Sequence, residues 1–158
     1  AHQCLDEGCR QLWIGNRDAQ RLQQLVDQLG DERVQPFSLA QAPESFESGG
    51  VLINATSVGL KPDDPVPFSL TRLHGEWVVY DMIYNPPKTA LLREAEQMPL
   101  ACDNGLGMLV WQGAWSLGIW ATSSPESAVE LAARVAPIMR GAAENALASS
   151  SASATPSA

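Results

Sequence analysis

The sequence predicts an α/β fold, a mostly parallel, doubly wound sheet covered by helices on both faces. Three observations lead there. Short runs suited to strands alternate with segments of helical periodicity over most of the chain, the order of elements that builds a parallel sheet with helical crossovers. The run Trp77-Val78-Val79-Tyr80 is continuous rather than alternating, as in a strand buried on both faces. Directly after the apolar Val51-Leu52-Ile53 comes Asn-Ala-Thr-Ser, closing on Gly59, and such sheets bind ligands beyond the carboxyl ends of their strands.

The elements follow in order. Ala1, Cys4 and Leu5 form the end of a helical stripe, with Gly8 as its stop. Leu12 to Ile14 reads as a short strand. In "DAQRLQQLVDQLG", Leu22, Leu25, Val26 and Leu29 recur at helical spacing, Asp18 is the N-cap and Gly30 closes the helix. "RVQPFSL" is a weak strand and "QAPESFESGG" a loop or short helix before the strand that begins at Val51. The prolines of "KPDDPVPFSL" require an irregular connection. "EWVVYDMIY" is a strand, and "NPPKTALLREAEQ" turns through Pro86 and Pro87 into a helix with Leu91, Leu92 and Ala95 available to pack. "MPLAC" reads as a short last strand.

Two helices end the organised part, "NGLGMLVWQGAWSLGIWA" and "SSPESAVELAARVAPIMR". The second begins with Ser124 as cap, Pro125 in the first position and Glu126 in the first turn. Its buried stripe is expected at Val129, Ala132, Val135, Ile138 and Met139. After Gly141 the composition falls to Ala and Ser, too little to bury. One domain is therefore expected over residues 1–141 and a disordered tail over 142–158.

Charge and composition exclude several functions. Eighteen acidic against ten basic residues give a net charge of −8, which argues against a nucleic-acid surface. No run reaches the roughly 18 apolar residues of a membrane span, and no signal peptide opens the chain. Cys4, Cys9 and Cys102 are odd in number without metal-ligand spacing, so a soluble cytoplasmic protein without disulfides or metal is expected. His2 and His74 read as surface or turn residues. Asp63 and Asp64 read as a solvated pair, and Trp111, Trp115 and Trp120 as core or interface aromatics. Ser57 has no histidine partner in the sequence to make it a nucleophile.

Two strand ends carry candidate binding groups. After Ile14, Arg17 lies in the turn and Arg21 one helical turn on, so both guanidinium groups can converge on an anion near a helix N-terminus. Spacing alone equally permits two exposed surface arginines. At the second end, Asn54, Thr56 and Ser57 either hydrogen-bond a ligand or bond their own backbone in a polar turn. Periodicity does not choose between them.

"INATSVGL", "YDMIYNPPKTALL" and "NGLGMLVWQGA", in that order and spacing, closely resemble the C-terminal, NADP-binding half of shikimate dehydrogenases. "NRDAQR" is similar to that family's Asn-Arg-Thr-x-x-Arg element, so the resemblance runs from Ala1 to Met139. It implies an incomplete Rossmann-like domain and NADP as cofactor. Asn16, Arg17 and Arg21 would surround the adenosine 2′-phosphate, while Thr56, Ser57, Val58, Met82 and Gly105 would line the nicotinamide end. Tyr84 and Gln112 would reach the substrate, shikimate or 3-dehydroshikimate. Asp18 replaces the usual threonine; turned inward it would favour NAD, and as a helix cap it would leave NADP preferred.

The resemblance also implies that this chain holds no catalytic residue. The family's lysine and aspartate for proton transfer lie in an N-terminal substrate domain, the expected partner, and its glycine-rich phosphate loop precedes the point that matches Ala1. In strand order 3-2-1-4-5-6, lacking the first strand would open a gap of roughly 10 Å, two strand spacings. The 158 residues alone are thus expected to be unstable or part of a longer polypeptide. The activity implied is NADPH-dependent reduction of 3-dehydroshikimate in aromatic amino acid biosynthesis. A quinate/shikimate dehydrogenase using NAD(P) and a catalytically silent nucleotide-binding module remain the alternatives.

Overall fold

The computed structural model describes residues 1–46 and 49–153. The chain divides into two compact units, Ala1–Glu47 with Thr71–His74, and Ser48–Leu70 with Gly75–Ala158. The expected domain 1–141 contributes to both.

The first unit contains α1 (His2–Asp6), β1 (Leu12–Asn16), α2 (Ala19–Leu29) and β2 (Val34–Ser38). β1 and β2 pair in parallel from Leu12↔Val34 to Asn16↔Ser38. The strand extends two residues beyond Ile14 because Gly15 leaves room for its neighbour; a Cβ there would lie 2.5 Å from the Phe37 ring. Asp18 caps α2, its Oδ1 accepting from the Arg21 N–H at 3.0 Å, and Gly30 ends it in the left-handed region at φ 57°. Trp13, Phe37 and Phe46 form a tilted and edge-on cluster with ring centroids 5.3–6.3 Å apart. Arg33 clamps the end of α1, donating to the Leu5 and Cys9 carbonyls at 3.1 Å each while both Asp31 oxygens hold its guanidinium. The Leu5 carbonyl also accepts the Gly8 N–H at 3.0 Å, so the guanidinium reinforces a turn that already closes α1.

The second unit contains β3 (Gly50–Asn54), β4 (Trp77–Asp81), α3 (Ala90–Gln97), β5 (Ala101–Asn104), α4 (Leu106–Ala121) and α5 (Pro125–Ser153). Its three strands lie in the order β3-β4-β5, all parallel. β5 starts three residues later than the "MPLAC" reading, because the Met98 and Leu100 N–H groups bond to Glu94 and Ala95 carbonyls and close α3. Thr89 caps α3, and Leu91, Leu92 and Ala95 are buried as expected.

Parallel sheets flanked by helices match the expected class, but the two faces of this sheet are dressed unequally. α3 lies against β4 and β5, and Val79 and Asp81 are fully buried. The alternating residues Val51, Ile53 and Val78 are 59%, 47% and 43% exposed. The continuous apolar run in β4 therefore does not mark a strand covered on both faces within this unit.

α4 and α5 are joined by three residues and run antiparallel. Leu106, Val110, Ala114 and Gly118, each four apart on α4, meet Ala128, Ala132 and Ala136 on α5. Small residues let the two backbones approach: a Cβ on Gly118 would sit 2.5 Å from the Ala128 carbonyl oxygen. This approach rotates the buried stripe of α5 onto alanines. Val135 and Met139 pack at its border as expected, whereas Val129 and Ile138 are exposed. Trp111, Trp115 and Trp120 are exposed as well, so none is a core residue of this unit. α5 continues to Ser153, with Ala143 and Leu147 packed on the α4–α5 core. Residues 142–153 of the expected tail are thus helical, consistent with the high helix propensity of alanine; 154–158 lie outside the described residues. No helix among those described is long and apolar enough to cross a membrane.

Gly118→Val is expected to lower stability by about 1–3 kcal/mol through overpacking, read as a drop in the urea midpoint. Gly141→Ala, where a Cβ meets nothing within 4 Å, is expected to leave the midpoint unchanged or raise it.

The side chain and then the backbone N–H of Arg33 lower the Asp31 pKa to about 2. A depressed carboxylate pKa contributes stability above the unfolded value, lost as pH falls from about 4 to about 2. Asp31→Asn is expected to remove this part of the acid response, measured as the change of thermal midpoint with pH.

Candidate functional site

Strand ends expose backbone groups that no ladder satisfies, and four of the five described strands close in the same way. Asn16, Asn54, Asp81 and Asn104 end β1, β3, β4 and β5, and each accepts, through Oδ1, the N–H two residues on, from Asp18, Thr56, Ile83 and Leu106, at 3.0–3.1 Å. These Asx turns release the chain from the sheet into the candidate loops.

In the second unit three such loops are stitched together. The Asn54 carbonyl accepts from the Met82 N–H at 3.0 Å, and the Ile83 carbonyl from the Gly105 N–H at 3.2 Å. Asn104 Nδ2 donates to the Pro87 carbonyl at 2.9 Å. Gly105 must lack a side chain, because a Cβ would run into the Met82 carbonyl. Thr56, Ser57, Val58, Met82, Tyr84 and Gly105 thus lie on connected loops beyond the carboxyl ends of β3, β4 and β5. Gln112 lies on α4 with its side chain exposed.

Not every polar group on this rim is free for a ligand. Buried Asn54 donates to Asp81 Oδ1 at 3.0 Å and to the Val58 carbonyl at 3.1 Å, while its Oδ1 accepts the Thr56 N–H and hydroxyl. The Thr56 hydroxyl in turn accepts the Val58 N–H at 3.1 Å. For these two residues the polar-turn reading holds. Ser57 is exposed and makes no side-chain hydrogen bond among the described residues. Asp64 is not a solvated partner of Asp63 but a loop clasp, accepting from the Gly59 and Lys61 N–H groups at 3.0 Å each. Those bonds, Lys61 first, hold its carboxyl below the usual range.

Asp81 and Thr89 escaped the sequence reading. Fully buried Asp81 accepts from Asn54, from the Ile83 N–H and from the Thr89 hydroxyl at 2.6 Å. The threonine ahead of "ALLRE" was legible as an N-cap; nothing local marks an aspartate at a strand end as buried.

The other candidates belong to the first unit. Asn16 is half-buried, and its Oδ1 accepts the Asp18 N–H. Asp18 caps α2 and also approaches Arg21 Nε at 3.5 Å. Arg17 is exposed and forms no ion pair among the described residues.

No family model matches the chain. It is 35% identical over 131 residues to the shikimate dehydrogenase (NADP(+)) of Rhodopseudomonas palustris strain TIE-1, covering 83% of this chain and 47% of that protein. The chain spans about half the length of the curated relatives it matches. Among solved structures it resembles shikimate 5-dehydrogenase from Thermus thermophilus in complex with NADP(H) and shikimate, with TM-score 0.61, 32% identity, and coverage of 82% and 48% of the two chains. The Listeria monocytogenes shikimate 5-dehydrogenase in complex with shikimate and NAD gives TM-score 0.63 at 27% identity, with the same coverage. Ligand-free 5-ketofructose reductase of Gluconobacter sp. strain CHM43 gives 0.57 at 30% identity, covering 81% and 48%.

Gly105→Ala is expected to part α4 from the Met82 loop and lower the thermal midpoint more than Gly118→Ala. In Gly105→Ala the collision is with backbone of a second loop, and amide exchange in residues 82–84 should rise.

Proposed function

The chain is related in sequence and fold to the shikimate dehydrogenase family, and from that premise we propose that it is the NADP-binding portion of a cytoplasmic enzyme reducing 3-dehydroshikimate to shikimate. The observation that carries this reading is the stitched rim of three loops at the carboxyl ends of β3, β4 and β5, the position where open parallel sheets bind ligands. NADPH, when bound, supplies the hydride of such a reduction.

The chain's own residues hold and orient. Thr56, Ser57, Val58, Met82 and Gly105 line the nicotinamide end, where the unengaged Ser57 hydroxyl is the polar side chain free to bond and Thr56 contributes shape. Tyr84 and Gln112 face the substrate; an amide that donates and accepts suits ring hydroxyls. Asn16, Arg17 and Arg21 receive the adenosine 2′-phosphate. Asp18 turns its carboxylate to the N-terminus of α2, the capping arrangement in which the arginines decide for NADP over NAD. The lysine and aspartate that move the hydroxyl proton belong to an N-terminal substrate domain, which completes the site in aromatic amino acid biosynthesis.

The test is the natural full-length protein with shikimate and NADP+, followed by the near-ultraviolet absorbance of reduced nicotinamide. Turnover with shikimate exceeding that with quinate or in the reverse direction with 5-ketofructose supports the reading; no turnover with shikimate overturns it. Arg17→Ala is expected to raise KM for NADP+ by about tenfold or more, the loss of one charge-assisted hydrogen bond, with little change for NAD+.

A further inference from the structure

Asp81 is the one carboxylate among the four strand-ending Asx residues, and it is fully buried. Its hydrogen bonds come from three separate segments: the end of β3 through Asn54 Nδ2 at 3.0 Å, the loop after β4 through the Ile83 N–H at 3.1 Å, and the cap of α3 through Thr89 Oγ1 at 2.6 Å. Thr89 has its hydroxyl proton committed to Asp81 while its oxygen accepts the Leu92 N–H at 3.3 Å.

A carboxylate only accepts, and that fixes the direction of every bond downstream. Asn54 must turn its amide nitrogen to Asp81, so its Oδ1 must face Thr56. Thr56 then donates both N–H and hydroxyl to Asn54, leaving its oxygen to accept from Val58. The order runs Asp81, Asn54, Thr56, Val58 without a free choice.

We propose that Asp81 is a positioning residue, which sets the orientation of the 56–58 loop and holds it in register with the Met82–Tyr84 loop without touching cofactor or substrate. The functional part rests on the roles proposed above for those loops.

The test is Asp81→Asn in the natural full-length protein, which keeps the shape but presents a donor where acceptors are needed. Amide exchange by mass spectrometry is expected to rise by about tenfold or more in the peptide 55–59, as for loss of a buried hydrogen bond, with β4 protection retained. kcat/KM with shikimate and NADP+ is expected to fall about tenfold or more per folded molecule. Should Asp81→Asn fail to fold, Thr89→Val removes the hydroxyl that donates to Asp81 and, with it, the oxygen that caps α3 at Leu92, and Thr89→Ser, which keeps both, is expected to restore both readouts. Unchanged exchange at 55–59, or exchange rising only with global unfolding, overturns the proposal, as does unchanged kcat/KM once exchange has risen. Because exchange does not depend on turnover, a raised exchange in a protein whose wild type ignores shikimate would sink the functional reading and leave the positioning role standing.

Discussion

Parallel strands must stop, and where they stop their backbone groups lose the ladder that satisfied them. In this chain a short carboxamide or carboxylate at four strand ends takes up the N–H two residues on. The loops that leave those ends are therefore shaped before any ligand arrives. Around β3, β4 and β5 the same groups are cross-linked: Asn54 to Asp81, Met82 to Asn54, Gly105 to Ile83 and Asn104 to Pro87. Burying Asp81 is tolerable because three donors converge on it; a buried charge without them would cost several kcal/mol. The hydrogen bonds that satisfy the rim also fix each loop against the next.

Beyond the rim, packing of α4 depends on the absence of side chains. Gly118 and Ala114 let α5 come close, and the alanines of α5 fill the contact. Only one stripe of α4 is used in this way. Met108, Trp111, Trp115 and Ile119 lie exposed along the same helix as Gln112. That face of α4 is left uncovered among the described residues.

Local rules served well where one residue type answers one local need. Asp18 and Gly30 delimit α2, Ser124 and Pro125 open α5, and Leu91, Leu92 and Ala95 are the buried face of α3. They served less well where the answer depended on what lay opposite. The apolar run of β4 promised two covered faces, yet Val78 is exposed, because burial belongs to neighbours rather than to the strand. Val129 and Ile138 looked like the core of α5, yet close approach to Gly118 selected alanines. The Ala-rich segment after Gly141 looked too poor to order, yet a helix already anchored upstream extends through alanine at little cost.

From the sequence by itself came the alternation of strands and helices, the caps, and three motifs at strand ends whose resemblance pointed to a dehydrogenase. All of these are carried by residues close together in the chain. The tertiary structure decided which of their polar groups remain available. Asn54, Thr56 and Ser57 read equally as ligand-binding groups or as a polar turn until Asp81, twenty-seven positions from Asn54, engaged the first and through it the second, while Ser57 beside them stayed unengaged. A hydrogen-bond donor can be read from a sequence, but its partner is fixed only when the fold brings an acceptor to it.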